Sequence, residues 1–290
     1  MRKKTIFIIL LIILLLSIFL TFNRYVITKI TNFQEQEETV LVEKIKNENT
    51  LFNFIKQNPE KCLQTNNLVL YKNPLLFDDD FSDKPNILGR IIARPGEKFE
   101  IINSQVFLND SLLIPNYDLF FLYILTMSDS TDFNELLKDK VLKIEKIINN
   151  FSCQFIANQR QADELLKTDK IVNIRKLIID DRYFSYDVFP GDTKNSRNKD
   201  QYKYVIIPKK STTVSLSVNN INLYKNIIDV YEDNELLFDH SKIEINGQKA
   251  DKYTFKQNYY FVLSDNRYEI NDSRRYGFIP ENQILGKVKE

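Results

Sequence analysis

The chain has 290 residues, with 40 Lys and Arg against 39 Asp and Glu for a formal net charge of +1. That length buries a full core without disulfides or metals, and the balanced charge removes the electrostatic ground for a nucleic-acid partner or an acidic substrate. One histidine (His240), two cysteines (Cys62 and Cys153) and no CxxC leave no ligand-spaced cluster, so neither a metal nor a cofactor is expected.

Residues 1–4 include Arg2, Lys3 and Lys4, and residues 5–22 are uncharged and almost wholly Ile, Leu and Phe. As a helix at ~1.5 Å per residue, that stretch reaches roughly 27 Å, close to the ~30 Å hydrocarbon core of a bilayer. No small-x-small site follows at Phe22, Asn23 and Arg24, which favours a transmembrane anchor over a cleaved signal peptide. The basic tail predicts a cytoplasmic N-terminus on a single-pass protein of the inner, cytoplasmic membrane, with the remaining chain in the periplasm. Cys62 and Cys153 then share an oxidising compartment in which a pair can bridge.

Residues 23–56 alternate charged and apolar positions without Gly or Pro, and the pattern predicts a helical or extended stalk; residues 23–65 comprise this stalk and, by the resemblance set out below, a degenerate nucleophile box. Short apolar runs then predict strands at 68–71, 91–93, 99–102 and 105–108, with a turn at Arg94-Pro95-Gly96-Glu97 and a tight connection at Asn103-Ser104. Between 109 and 203 the pattern changes. Asp132 and Glu135 form a capping box, and Phe133, Leu137, Val141, Ile144, Ile148 and Phe151 fall at helical spacing, so one helix is predicted there and a second over 157–166. Strands return at 204–207 and 214–218, and Asn246-Gly247 marks a hairpin after 242–245. The expected fold is mostly β: one antiparallel domain from 66–108 plus 204–290, a partly helical insert over 109–203, and the N-terminal transmembrane helix.

Two blocks carry a resemblance. Ser264-Asp265-Asn266-Arg267 and Asp272-Ser273-Arg274-Arg275-Tyr276-Gly277-Phe278-Ile279-Pro280 are similar to the last conserved box of bacterial type I signal peptidases, with D-N-R and D-S-R at the family's offset. Gly89-Arg90-Ile91-Ile92-Ala93-Arg94-Pro95-Gly96-Glu97 resembles that family's K-R block. The run from Ile207 through Tyr260 is similar to the Bacteroidetes-type form, which carries an insert between the boxes. The resemblance implies a signal-peptidase β fold and a serine endopeptidase that removes signal peptides from exported preproteins. It also implies that Arg90 pairs with Asp265 and Asp272 with Arg274, so that Arg90, Asp265, Asn266, Arg267, Asp272, Ser273 and Arg274 form the scaffold of a site.

The catalytic positions of that family are not matched. Its Ser-Lys dyad uses a buried lysine of lowered pKa as general base for a serine. Carried onto this chain, the lysine position is Gly89 and the serine position Asn58. The hydroxyl that supports the lysine falls at Ile270, and the oxyanion-hole hydroxyl at Lys56. No serine occurs between Ser17 and Ser82. The expected protein is a catalytically inactive member that keeps a binding role toward the membrane and toward signal peptides or an envelope protein. Two alternatives stay open: a rewired protease using Cys62 as nucleophile, and a structural envelope protein.

Overall fold

Strand-forming sequence in this chain comes as short apolar runs separated by residues that tolerate left-handed backbone, and the folded chain uses those residues as its corners. Asn66, Asn103, Ser104 and Asn246 all have positive φ, as do Gly96 and Gly247. The computed structural model describes residues 25–31, 37–44, 59–74, 84–130, 132–138, 142–192, 197–239 and 242–289. The chain is mostly β with few helices, and it divides into two units: residues 1–91 with 281–290, and residues 92–280. Residues 5–22 lie outside the described residues. Among the described residues no helix is long and apolar enough to cross a membrane.

In the first unit, Tyr25–Thr31 (β1) and Glu37–Lys44 (β2) form an antiparallel hairpin. The alternation read as a stalk is therefore, where described, extended chain within a sheet. Pro59–Cys62 forms a short helix (α1), followed by Leu68–Lys72 (β3) and Asn86–Ala93 (β4), which pair through Val69 and Gly89. The last strand, Ile284–Val288 (β20), lies between β2 and β3. Val42, Leu70 and Val288 form the buried core of this sheet. Gly286 is required there: any Cβ would run into the Glu43 carbonyl and the Val42 side chain.

In the second unit, Lys98–Ile102 (β5) and Gln105–Leu108 (β6) form a hairpin around Asn103-Ser104, and Ser111–Leu112 (β7) continues the meander. The insert is more β than expected. Phe120–Met127 (β8), Lys143–Asn149 (β9), Ser152–Asn158 (β10) and Ile171–Lys176 (β11) make a four-stranded antiparallel sheet in the order β11-β8-β10-β9. Among its described residues, Phe133–Lys138 (α2) and Gln159–Leu165 (α3) are helical. The helix expected to reach Phe151 ends at Lys138; Val141 lies outside the described residues, and Ile144, Ile147 and Ile148 belong to β9. Branched Cβ atoms stiffen these isoleucines against a helix, and Asn149 caps the next turn by accepting from the Phe151 amide at 2.8 Å. The second helix begins as a capping box in which Asn158 accepts from the Gln161 amide at 2.8 Å and the Gln161 side chain accepts from the Asn158 amide.

Tyr202–Ile206 (β12) returns to pair with β5. Thr213–Ser215 (β13) is followed by the helix Ile221–Asn226 (α4), which widens into a π-helical turn over Ile227–Tyr231; no sequence signal pointed to either helical piece. Leu236–Phe238 (β14), Ile243–Ile245 (β15) and Gln248–Lys249 (β16) form a small meander around Asn246-Gly247. Lys252–Thr254 (β17) pairs with β13. Tyr259–Leu263 (β18), the helix Ser273–Tyr276 (α5) and Ile279–Pro280 (β19) close the unit. Its main core is aromatic, with the rings of Phe99 and Phe261 centred 4.2 Å apart and Tyr202 edge-on to Phe261.

Candidate functional site: the loop after strand β18

Every residue of β18 is buried, so the strand is a fixed rail from which the chain emerges at Ser264. The loop it feeds is organised by one carboxylate. Asp272, fully buried, caps α5 by accepting from the Arg274 amide at 2.9 Å and reaches back to the Ser264 amide at 3.0 Å. Arg274, 1% exposed, grips the same carboxylate with Nη2 2.7 Å from Oδ2 and Nε 3.0 Å from Oδ1. Its Nη1 donates to the Arg267 carbonyl at 2.8 Å and its Nη2 also reaches the Glu269 carbonyl. Arg274 thus ties helix and loop together. A charge-assisted fork of this kind repays burial only because each donor finds a partner.

The other residues of the box act through short contacts. Ser273 Oγ accepts from the Val262 amide at 2.9 Å, which fastens α5 to β18. Asn266 accepts from the Tyr268 amide at 3.2 Å, while its Nδ2 is buried without a partner. Gly277 has φ +80° and lies against the Phe189 ring, where a Cβ would be 2.8 Å from the nearest ring carbon. Ile270, the position of the family's supporting hydroxyl, packs against the main core of the second unit.

Beside this loop is a cavity of about 400 Å³ lined by Ile179, Ser185, Val188, Lys199, Tyr268 and Ile270, among others. Lys199 donates from Nζ to the Tyr268 carbonyl at 2.8 Å and stands 4.0 Å over the Tyr268 ring. Burial lowers its ammonium to about 8. Asn198 shapes this turn by accepting from the Asp200 and Gln201 amides at 2.9 Å each. Neither Lys199 nor the cavity was read from the sequence.

The remaining expected site residues fall elsewhere. Asn58 and Lys56 lie outside the described residues. Gly89 is buried in β4 opposite Val69, in the first unit. Arg90, next to it, donates from Nη1 to the Asn66 carbonyl at 2.7 Å. Asp265 belongs to the second unit. Cys62 ends α1 half-buried, with Lys61 exposed beside it. Cys153 is a free thiol in the core of the insert sheet, pushed up to about 11 by burial. Among the described residues no three His, Cys, Asp or Glu side chains gather where they could hold a metal.

The family model described as signal peptidase, peptidase S26, matches residues 189–290, a span that contains β12, β18 and the whole Asp272–Arg274 loop. No curated protein matches the chain. The D-N-R and D-S-R segments of the loop both lie inside that span, so residues 189–290 are similar to signal peptidases and support a type I signal peptidase-like protein.

Proposed function

We propose that this protein is a catalytically inactive signal peptidase relative, held in the cytoplasmic membrane by residues 5–22 with its remaining chain in the periplasm, and that it retains a binding role toward signal peptides or an envelope partner. The observation that carries the reading is residue 89. A Ser-Lys site needs an amine at this position, and here a buried glycine occupies a paired strand beside Arg90. Ile270 agrees with it: the position carried over for the supporting hydroxyl holds a partly buried apolar side chain that packs against the core. The box around Asp272 and Arg274 is retained as structure, and so supports a fold kept for something other than hydrolysis.

The test is cleavage of a standard preprotein in detergent by the wild type, Asn58→Ser/Gly89→Lys and Cys62→Ala, together with photocrosslinking of a signal peptide to the wild type. No cleavage by any of the three with saturable crosslinking is the expected result. Cleavage by the wild type that is lost in Cys62→Ala would replace this reading with the rewired protease. Neither cleavage nor crosslinking would leave the structural envelope role. Protease added to intact spheroplasts should digest the chain beyond residue 23 and spare its N-terminus; protection of the domain would reverse the topology.

A further inference from the structure

Arg267 presents a different problem from Arg274. It is 5% exposed, yet its Nε and Nη1 are enclosed without any hydrogen-bond partner. The Asp272 oxygens accept instead from the Arg274 guanidinium and from the Arg274 and Ser264 amides. Burial, and then the neighbouring Arg274, lower its guanidinium to about 10, against the opposing pull of Tyr117, Asp272 and Asp265. An enclosed cation with unmade hydrogen bonds is among the costliest groups a fold can carry.

The same residue lines a cavity of about 240 Å³. Its walls are mainly apolar, including Leu112, Leu113, Ile114, Leu119 and Phe121, and Leu112 and Ile114 are 46% and 78% exposed. The other cation of the lining, Lys176, stands 3.9 Å over the Phe121 ring. Among the described residues no Asp or Glu lines this cavity. Two cations at an apolar hollow with no anion of its own describe the complement of an amphipathic acid. A larger, polar groove of about 670 Å³ adjoins it and shares Tyr117, Leu119, Phe121 and Lys176 as walls.

We propose that this cavity binds a carboxylate carried on a compact apolar body, with the carboxylate on Arg267 and the body against Leu113, Leu119 and Phe121. The chemistry is shared by a free small acid and by the apolar C-terminal residue of a peptide, whose preceding residues would run along the adjoining groove. The site lies wholly in residues 104–267 and does not depend on whether the protein cleaves anything.

Isothermal titration of the full chain in lipid nanodiscs tests this with 3-phenylpropanoate, its alcohol and its ammonium counterpart, and with a short phenylalanine-terminated peptide as free acid and as amide. The acid should bind saturably, and the alcohol and ammonium at least tenfold more weakly, because a charge-assisted bond to a buried guanidinium is lost. Arg267→Gln should weaken the acid by at least tenfold. Leu119→Trp, which fills the cavity and leaves the box untouched, should do the same, and it carries the test if Arg267→Gln does not fold. Binding of both the acid and the peptide acid, with the peptide amide weak, assigns the site to a peptide C-terminus; binding of 3-phenylpropanoate alone assigns it to a free acid. Equal binding of acid and alcohol, or wild-type affinity in Leu119→Trp, would overturn the proposal.

Discussion

The carbonyl of Phe120 accepts a hydrogen bond from the Arg267 amide at 2.8 Å, and the Phe120 amide donates to the Asp265 carbonyl at 2.9 Å. These two bonds bring the first residue of the insert sheet alongside the loop that follows β18, in a parallel bridge centred on Asn266. The insert is thereby part of the loop's support. Its side chains also form most of the wall in front of Arg267.

A proline at 120 removes one of the two bonds and spares the other. Phe120→Pro should lower stability by about 1–3 kcal/mol, the cost of an orphaned acceptor plus local strain. Hydrogen exchange gives a second reading: the Arg267 amide should be protected in the wild type and exchange faster in the variant. Unchanged protection would mean that the spared bond holds the loop without its partner.

Removing one member of the buried ion pair should cost far more than removing both. Asp272→Ala leaves Arg274 charged and enclosed, and should destabilise by about 3–5 kcal/mol in urea titration. Asp272→Leu/Arg274→Met should recover part of that loss. A double variant as unstable as the sum of the singles would show that the pair is not coupled.

Lys199 should make stability depend on alkaline pH. In the folded chain its proton leaves near 8, whereas in the unfolded chain it leaves near the ordinary ~10.4. The folded state therefore holds fewer protons between these values, and stability rises with pH across that window. Below pH 8 the buried charge imposes its full cost. Relative to Lys199→Met, the wild type should gain stability from about pH 8 to 10 and run parallel to it below 7; a constant gap across the whole range would show that burial does not perturb this lysine.

Cys153 has its thiol enclosed in the insert core and pushed up to about 11. Because the thiolate is the nucleophile, alkylation at pH 8 should be slow in the native protein and fast in urea. The labelling rate of a Cys62→Ala chain then reports opening of the insert sheet. Rapid native labelling would mean that this sheet opens readily.

The parts of the fold legible in the sequence were those decided over a few residues. Asn103-Ser104 and Asn246-Gly247 carry the left-handed backbone that a tight hairpin needs, and both hairpins form at those positions. The box at 264–280 was legible through its resemblance to the signal peptidase box, and the pair that the resemblance implies, Asp272 with Arg274, forms two residues apart in the structure. The insert sheet was not, since Ile144 and Ile148 continue the helical spacing of Phe133 and Leu137 by coincidence while pairing with β10 decides the structure of 143–149. Lys199 had no local marker at all: its partner Tyr268 is 69 residues away. The hollow at Arg267 is likewise assembled from residues 104–121, 176 and 267.

Gly286 places the last strand of the chain between two of its first, touching the Glu43 backbone where no other residue fits. The sheet of the first unit is therefore discontinuous along the polypeptide, whereas residues 92–280 are one unbroken segment. During synthesis this imposes an order. The later segment can finish its own strand pairing while the earlier strands still lack the one that joins them, and β2 and β3 are united only after residue 288 has been added. A chain terminated before Ile284 would leave the β2 and β3 edges open, which makes the addition of residues 284–288 the step that seals this sheet.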